Sequence, residues 1–248
     1  MTITRLAEFF LFFLLLVSSS SAQVDTPDNQ SAPAVVQPLV KKISPQLYQV
    51  GLISFNKETR EIHIPSHTNI TEPEAVIEYL LVHFNGEKIH ESLLTTEAKP
   101  TNINIALKLL NYKESPELFR LPNPNGTLSA EYPVVSEKVK KAARFKILIT
   151  WKDNELTKTI PVTDWIYNES TQKNMEYAPW IYNGSFIHEK SFNAKLTGSI
   201  VAIYANIGAI ANYSGDDRND DSLWSPSKNT PSEGTSVTLT IQPWANLP

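Results

Sequence analysis

Phe145, Ile147, Ile149 and Trp151 stand two residues apart, and a period of two puts four large apolar side chains on one face only when the backbone is extended. Asp153 and Asn154 then supply a turn, and Leu156 to Val162 runs back with strand-forming residues. A hairpin of this kind is not stable alone, so the rest of the chain has to provide partner strands and a cover for its apolar face.

The candidates for those strands are spread along the chain. Tyr48, Val50 and Leu52 alternate, the residues from Asn56 to Thr59 read as a turn, and Glu61 to Pro65 follows, which predicts a first hairpin. Ala75 to Phe84 is more continuously apolar and β-branched, as in a buried central strand, and Asn85-Gly86 after it is a strong two-residue turn signal between strands. Three further strands are expected near Trp180 to Tyr182, Ser199 to Tyr204 and Ser236 to Ile241. One helix is clear. Ile103, Ala106, Leu107 and Leu110 form a stripe at helical spacing behind Pro100-Thr101-Asn102, with Ile105 and Leu109 widening it, so a helix should run from about Thr101 to Asn111. Residues 112–136 hold four prolines with Asn123, Asn125 and Gly126, which forbids long regular elements and offers a place for the chain to divide into two subdomains. The expected fold class is α+β, predominantly antiparallel β-sheet with one clear helix near 101–111.

The N-terminus reads as an export signal. Arg5 precedes the nine apolar residues Phe9 to Val17, too few for a bilayer span of ~20 residues but right for a secretory leader. Small residues at Ser20 and Ala22 predict cleavage after Ala22, leaving 1–22 as signal peptide, 23–42 as a Pro/Ala/Gln/Ser linker and 43–243 as the domain. The expected location is the periplasm or the extracellular space, with no membrane span after cleavage. The chain has no Cys, so disulfides, a lipidated Cys, thiolate catalysis, Cys-ligated zinc and iron–sulfur clusters are excluded, and apolar packing must hold the fold. A net charge of −4 without a long basic run argues against nucleic acid, and Lys138, Lys140, Lys141 and Arg144 read as a solvated face leading into a strand. Six Asn-x-Ser/Thr triplets, at Asn29, Asn69, Asn125, Asn168, Asn183 and Asn212, are either chance products of an Asn-rich composition or glycosylation acceptors.

Few constellations carry chemistry. His90-Glu91-Ser92-Leu93-Leu94 begins like a zinc-protease helix, yet position 94 is Leu where the second His ligand belongs. Ser92 beside His90 invites a nucleophile and base reading, although residues two apart do not by themselves make an activated pair. Pro65 breaks the helix that would align His63 with His67. Asp216, Asp217, Asn219, Asp220 and Asp221 form the one stretch suited to a hard cation such as Ca²⁺, but Ser222 replaces the turn glycine of a calcium loop, Lys228 its closing Glu, and Arg218 adds a competing cation. Ser225 and Lys228 have the spacing of an acylating Ser-Lys pair, with Pro226 denying them a helix. The five Trp residues and their Tyr neighbours, Trp165, Trp180 and Tyr182 foremost, either fill the core or make a stacking surface for a glycan or peptide.

Taken together, Val76 to Val82, Gly86, Lys88, His90 to Leu94, Pro100 and the Ile105 to Leu110 helix resemble the YdjY-type domain of exported bacterial proteins. Val162 to Ile166, Trp180 to Ser185, Gly198 to Ala202, Asp216 to Trp224 and the stretch from Pro231 to Pro243 are similar to long members of that family from planctomycete-like and verrucomicrobial bacteria. The resemblance spans roughly residues 43–243 and brings no established activity with it. Some relatives are labelled ferredoxin-like, a label the Cys-free chain cannot carry. It draws attention to His90, Glu91 and Ser92, which lie in its most recognisable string.

The function expected on these grounds is a non-enzymatic binding or interaction module of the cell envelope. Its partner would be an envelope protein, a peptide or a glycan, and no cofactor is called for. The alternative is a metal-dependent, Ca-like protein or a hydrolase-type enzyme built on His90 and Glu91 or on the Asp216 to Asp221 loop.

Overall fold

The computed structural model describes residues 40–244, so the expected leader at 1–22 and residues 23–39 of the linker lie outside the described residues. The last residues assigned to the linker are already a strand: Val40–Lys42 (β1) pairs antiparallel with Leu47–Val50 (β2). The chain continues through Ile53–Asn56 (β3), Ile62–Thr68 (β4), Tyr79–His83 (β5) and Ser92–Thr96 (β6) to the helix Pro100–Leu109 (α1). After an irregular stretch come the helix Glu137–Ala143 (α2), the hairpin Arg144–Asp153 (β7) and Leu156–Pro161 (β8), and the short strands Ile166–Asn168 (β9), Lys173–Asn174 (β10) and Trp180–Tyr182 (β11). Ile187–His188 (β12), Ser191–Phe192 (β13), the helix Asn193–Thr197 (α3), Ser199–Ala202 (β14), Ala211–Tyr213 (β15), Trp224–Pro226 (β16) and Ser236–Pro243 (β17) complete it.

Eight of these strands close into a barrel in the order β4, β17, β7, β11, β15, β14, β5, β6, with β6 returning to β4. Neighbours are antiparallel except β14 with β15 and β5 with β6. Closure removes the free edges that an open sheet of this size would carry. An eight-stranded barrel is just wide enough inside for side chains to fill it. Here Phe145, Ile147 and Ile149 of β7 meet Ile62 and Ile64 of β4 and Leu239 and Ile241 of β17, all buried.

The period-two hairpin is found as predicted, with Asn154 in the turn at φ 54° and Ile149 opposite Ile160. So is the helical stripe: Ile103, Ala106, Leu107 and Leu110 are all buried. Leu109 does not widen it, being 48% exposed on the side turned away from the core. Two short helices, α2 and α3, join the expected one. Ser136 caps α2 by accepting from the Val139 amide, and Lys140 and Lys141 sit in its last turn, where the helix dipole favours cations. The β-rich, mostly antiparallel α+β class holds.

Three expectations are corrected. The first hairpin contains an extra strand, because Gly51 at φ +57° makes a tight turn from β2 into β3 after two residues, against which the Asn102 side chain packs. Asn85-Gly86 does not join a hairpin. Residues 84–91 carry the chain back through a 3-10 turn at Ile89–Glu91, so that β6 runs parallel to β5 with Leu81 beside Leu94. Residues 112–136 do not divide the domain, since β4, β5 and β6 before them and β7, β11 and β17 after them share one barrel.

Candidate functional site

Four segments that leave the barrel strands are tied to each other by backbone hydrogen bonds. Ile77 donates to the Trp224 carbonyl and Glu78 to the Glu91 carbonyl, both at 2.9 Å. Glu169 donates to the Leu223 carbonyl at 2.8 Å, and Ile203 and Tyr204 both donate to the Glu78 carbonyl. These bonds bring residues 77–78, 88–91, 165–174 and 214–229 into one layer around the small sheet β10, β9, β16. The two candidate regions read from the sequence, around His90 and along 216–221, are therefore neighbours, joined through Glu78.

The 88–91 region holds a tight charge cluster. Glu91 takes the Lys88 ammonium on one carboxylate oxygen at 2.9 Å and the His90 imidazole on the other at 3.1 Å. The Glu78 carboxyl, which sequence reasoning passed over, lies against Glu91. Burial raises its pKa, and the charge of Glu91 and a hydrogen bond to that carboxylate raise it further, with Asp221 adding a smaller push and Lys88 opposing. Burial would also raise Glu91, but the hydrogen bonds from Lys88 and Glu78 with the Lys88 and His90 charges outweigh it and leave Glu91 below the usual carboxylate range. Of the two coupled carboxyl groups, Glu78 is the one that gives up its proton last as pH rises. The signal that would have found Glu78 is its place beside Tyr79 at the start of a buried strand, where a carboxylate needs a partner.

The remaining sequence candidates are engaged elsewhere. Ser92 is fully buried and donates to the Leu94 carbonyl at 2.7 Å, while the His90 side chain is 71% exposed, so the two are not paired as base and nucleophile. Trp165, Trp180 and Tyr182 lie inside the protein at 0%, 1% and 0% exposure, and Trp224 joins them, so these four fill the core and present no stacking face, while Trp151 and Trp244 are half-buried. The Tyr182 hydroxyl donates to Asn104 at 2.6 Å, and its burial raises its pKa far above the usual phenol value. In the acidic loop, Asp217 accepts from the Asn168 amide at 2.8 Å, and Asp220 accepts from both the amide and the hydroxyl of Ser222 at 3.0 and 2.8 Å. Asp216, Asn219 and Asp221 are exposed. Among the described residues, no three His, Asp or Glu side chains converge as a metal site. His63 and His67 lie on the outer face of β4, separated by Pro65. Ser225 donates to Glu169 at 2.5 Å, which is a structural tie.

A cleft of about 520 Å³ opens beside this layer. Its walls include Pro73, Tyr167, Asn174, Pro226, Lys228 and Asn229, and Tyr167 is held in place by donating to Gln172 at 3.1 Å. The lining mixes ring faces with amides, two carboxylates and an ammonium, a set able to bind a polar molecule by many hydrogen bonds.

The fold and this layer define a closed, Cys-free β-barrel domain with a polar cleft built from loops outside the barrel. The profile of the YdjY domain family matches residues 53–242, which take in all eight barrel strands except the last residue of β17, and the chain belongs to that family. No curated protein and no solved structure matches the chain. No helix among the described residues is long and apolar enough to cross a membrane.

Proposed function

We propose that this protein is an exported, non-enzymatic binding module whose cleft at Tyr167, Asn174 and Asn229 takes a neutral glycan. The observation that carries the reading is the division of labour between groups. The hydroxyls and carboxylates that could do chemistry, Ser92, Ser225, Glu91 and Asp217, are bound to neighbouring protein groups, whereas Asn174, Lys228 and Asn229 in the cleft wall are exposed. A pyranose ring offers an apolar face and a rim of hydroxyls. Tyr167 with Pro73 suits the face, and the amides suit the rim. Export rests on Arg5, the Phe9 to Val17 apolar run and the small residues Ser20 and Ala22 before the expected cleavage.

Calorimetric titration of the mature chain with a panel of neutral oligosaccharides should find binding that Tyr167→Ala and Asn174→Ala each weaken severalfold. Binding that survives both substitutions, or no heat across the panel, would remove the cleft from consideration. N-terminal sequencing of the native protein should return Gln23, and an intact Met1 in the cytosolic fraction would end the export claim.

A further inference from the structure

The irregular stretch after α1 makes a second feature, away from the cleft. Ser129 donates to the Leu121 carbonyl and Leu121 to the Glu131 carbonyl, both at 2.8 Å, which folds 118–132 into a compact flap. The flap leaves a groove of about 360 Å³ against Tyr204, Ala205 and Asn219, with Leu118, Phe119, Leu128 and Tyr132 along it. Leu128 is 68% exposed and Tyr132 39%. Isolated exposed apolar residues are ordinary, but several lining one concavity of this size are not.

Two guanidinium groups guard this groove. Arg120 stands 6.0 Å from the centre of the Tyr132 ring. Arg218 adjoins the groove from the 216–221 loop, its carbonyl accepting from Ala205 in the groove wall at 2.8 Å and its Nη1 donating to the Gly215 carbonyl at 3.0 Å. The Arg218 Nε is buried with no acceptor. Neither arginine takes part in an ion pair among the described residues; Glu117 pairs with Arg144 through one oxygen, Asp217 accepts from Asn168 and Asp220 from Ser222, while Asp216, Asp221 and Glu131 are exposed. The Tyr132 hydroxyl registers the local field, since hydrogen bonding to Arg120 and the charges of both arginines hold its pKa below the usual phenol value.

We propose that this groove is a binding site for small organic anions, in which Arg120 and Arg218 clamp a carboxylate or sulfonate and Phe119, Leu128 and Tyr204 cover an aromatic or aliphatic body of about one to two rings. A planar guanidinium pairs with such an anion through two parallel N–H donors, and two of them at one end of an apolar groove select for amphipathic anions over neutral apolar molecules. The site is independent of the glycan cleft and stands or falls separately from it.

The test uses the mature chain and the fluorescent probe 8-anilinonaphthalene-1-sulfonate, with uncharged N-phenyl-1-naphthylamine as its counterpart. The sulfonate should bind one to one and be displaced by 3-phenylpropionate. Arg120→Gln and Arg218→Gln should each weaken it about tenfold, the loss of one charge-assisted interaction, and leave the weaker binding of the uncharged dye unchanged. Leu128→Glu, at an exposed position that the fold does not depend on, puts a carboxylate within the groove to occupy the arginines and should also abolish binding. Equal affinity of the wild type and the double arginine variant for the sulfonate, or equal affinity of the two dyes for the wild type, overturns the proposal. A thermal unfolding curve for each variant shows whether a lost signal reflects the groove or the fold.

Discussion

Gly86 and Gly198 lie back to back, so close that a Cβ on Gly198 would stand 2.5 Å from the Gly86 Cα. Gly198 ends α3 in the left-handed region at φ +77°, its amide returning to the Ala194 carbonyl, and its carbonyl accepts from His83 at 2.8 Å. Gly86 closes the turn after β5, donating to the His83 carbonyl at 2.7 Å. The contact locks the end of β5 to the start of β14, one seam of the barrel. Gly198→Ala combines a strained backbone with a backbone clash that no side-chain movement relieves. The expected cost is about 3 kcal/mol or more, which thermal unfolding would read as a drop of roughly 6 °C or more for a domain of this size. A loss below about 1 kcal/mol would mean that the seam yields easily and that this reading of the two glycines is wrong.

Asn212 is the centre of a second buried arrangement. Fully buried, it donates to the Asn183 Oδ1 at 2.6 Å and the Asn206 carbonyl at 3.0 Å, and accepts from the Asn206 amide at 2.7 Å. Asn206 in turn donates to the Tyr79 hydroxyl at 2.5 Å, so the loop between β14 and β15 is hung from barrel strands. Asn212→Ala strands a buried amide and a buried carbonyl and should cost about 2–3 kcal/mol. Asn212→Asp should cost at least as much at neutral pH and recover part of it in acid, because the buried carboxylate must take up a proton. Equilibrium denaturation at pH 4 and pH 7 checks both, and a pH-independent Asn212→Asp would contradict the buried site.

The same geometry decides which Asn-x-Ser/Thr triplets are free. The Nδ2 groups of Asn69, Asn168, Asn183 and Asn212 all donate to carbonyl, carboxylate or amide oxygens. Asn125 is exposed and uses only its Oδ1, which accepts from the amide and hydroxyl of Thr127. Secretion from a glycosylating host should therefore yield folded protein modified, within residues 40–244, at Asn125 and not at the other four. Peptide mapping that finds a glycan at Asn168 or Asn212 in folded material would refute these hydrogen bonds.

These asparagines and glycines also mark where the sequence stopped being readable. Periodicity alone revealed β7, β8 and the buried face of α1, because each is decided by residues within a few positions of one another. The barrel's closure was invisible. It depends on β6 meeting β4, with His67 beside Thr95, and on β17 reaching between β4 and β7 from the far end of the chain. Asn85-Gly86 misled because the glycine answers a contact with Gly198 and not a hairpin. At the candidate site His90 and Glu91 were noticed in the sequence. Glu78 was not, since the hydrogen bond that ties it to Glu91 crosses two strands paired in parallel.

The acidic loop permits a direct check of the metal alternative. With Asp217 and Asp220 already accepting hydrogen bonds and Arg218 within the loop, a Ca²⁺ ion would have to break those contacts and tolerate a nearby cation. Millimolar Ca²⁺ should leave the unfolding temperature of the mature chain unchanged, and chelation should change nothing. A stabilisation that saturates with Ca²⁺ and disappears in Asp217→Asn would reverse this expectation.

Glu78 and Glu91 give the protein a pH response whose sign can be worked out. Glu78 has a folded-state pKa raised above the ordinary value of 4.5, so the folded chain holds its proton more tightly than the unfolded chain does. Stability from this group is full below pH 4.5 and declines as pH rises through the folded value. Glu91 is lowered and acts in the opposite sense, its contribution present above 4.5 and lost as pH falls through its folded value. Glu78→Gln keeps a donor facing Glu91 and removes the carboxylate that must ionise beside it. The variant should match the wild type near pH 4 and exceed it at pH 7 by about 0.5–1 kcal/mol, a figure kept small because both side chains are partly exposed and solvent screens their interaction. Glu91→Gln should do the reverse at pH 7, releasing Lys88 and His90. Denaturation curves from pH 4 to pH 8 decide the matter: a Glu78→Gln protein that is no more stable than wild type at neutral pH, relative to acid, would show that Glu91 does not raise the Glu78 pKa.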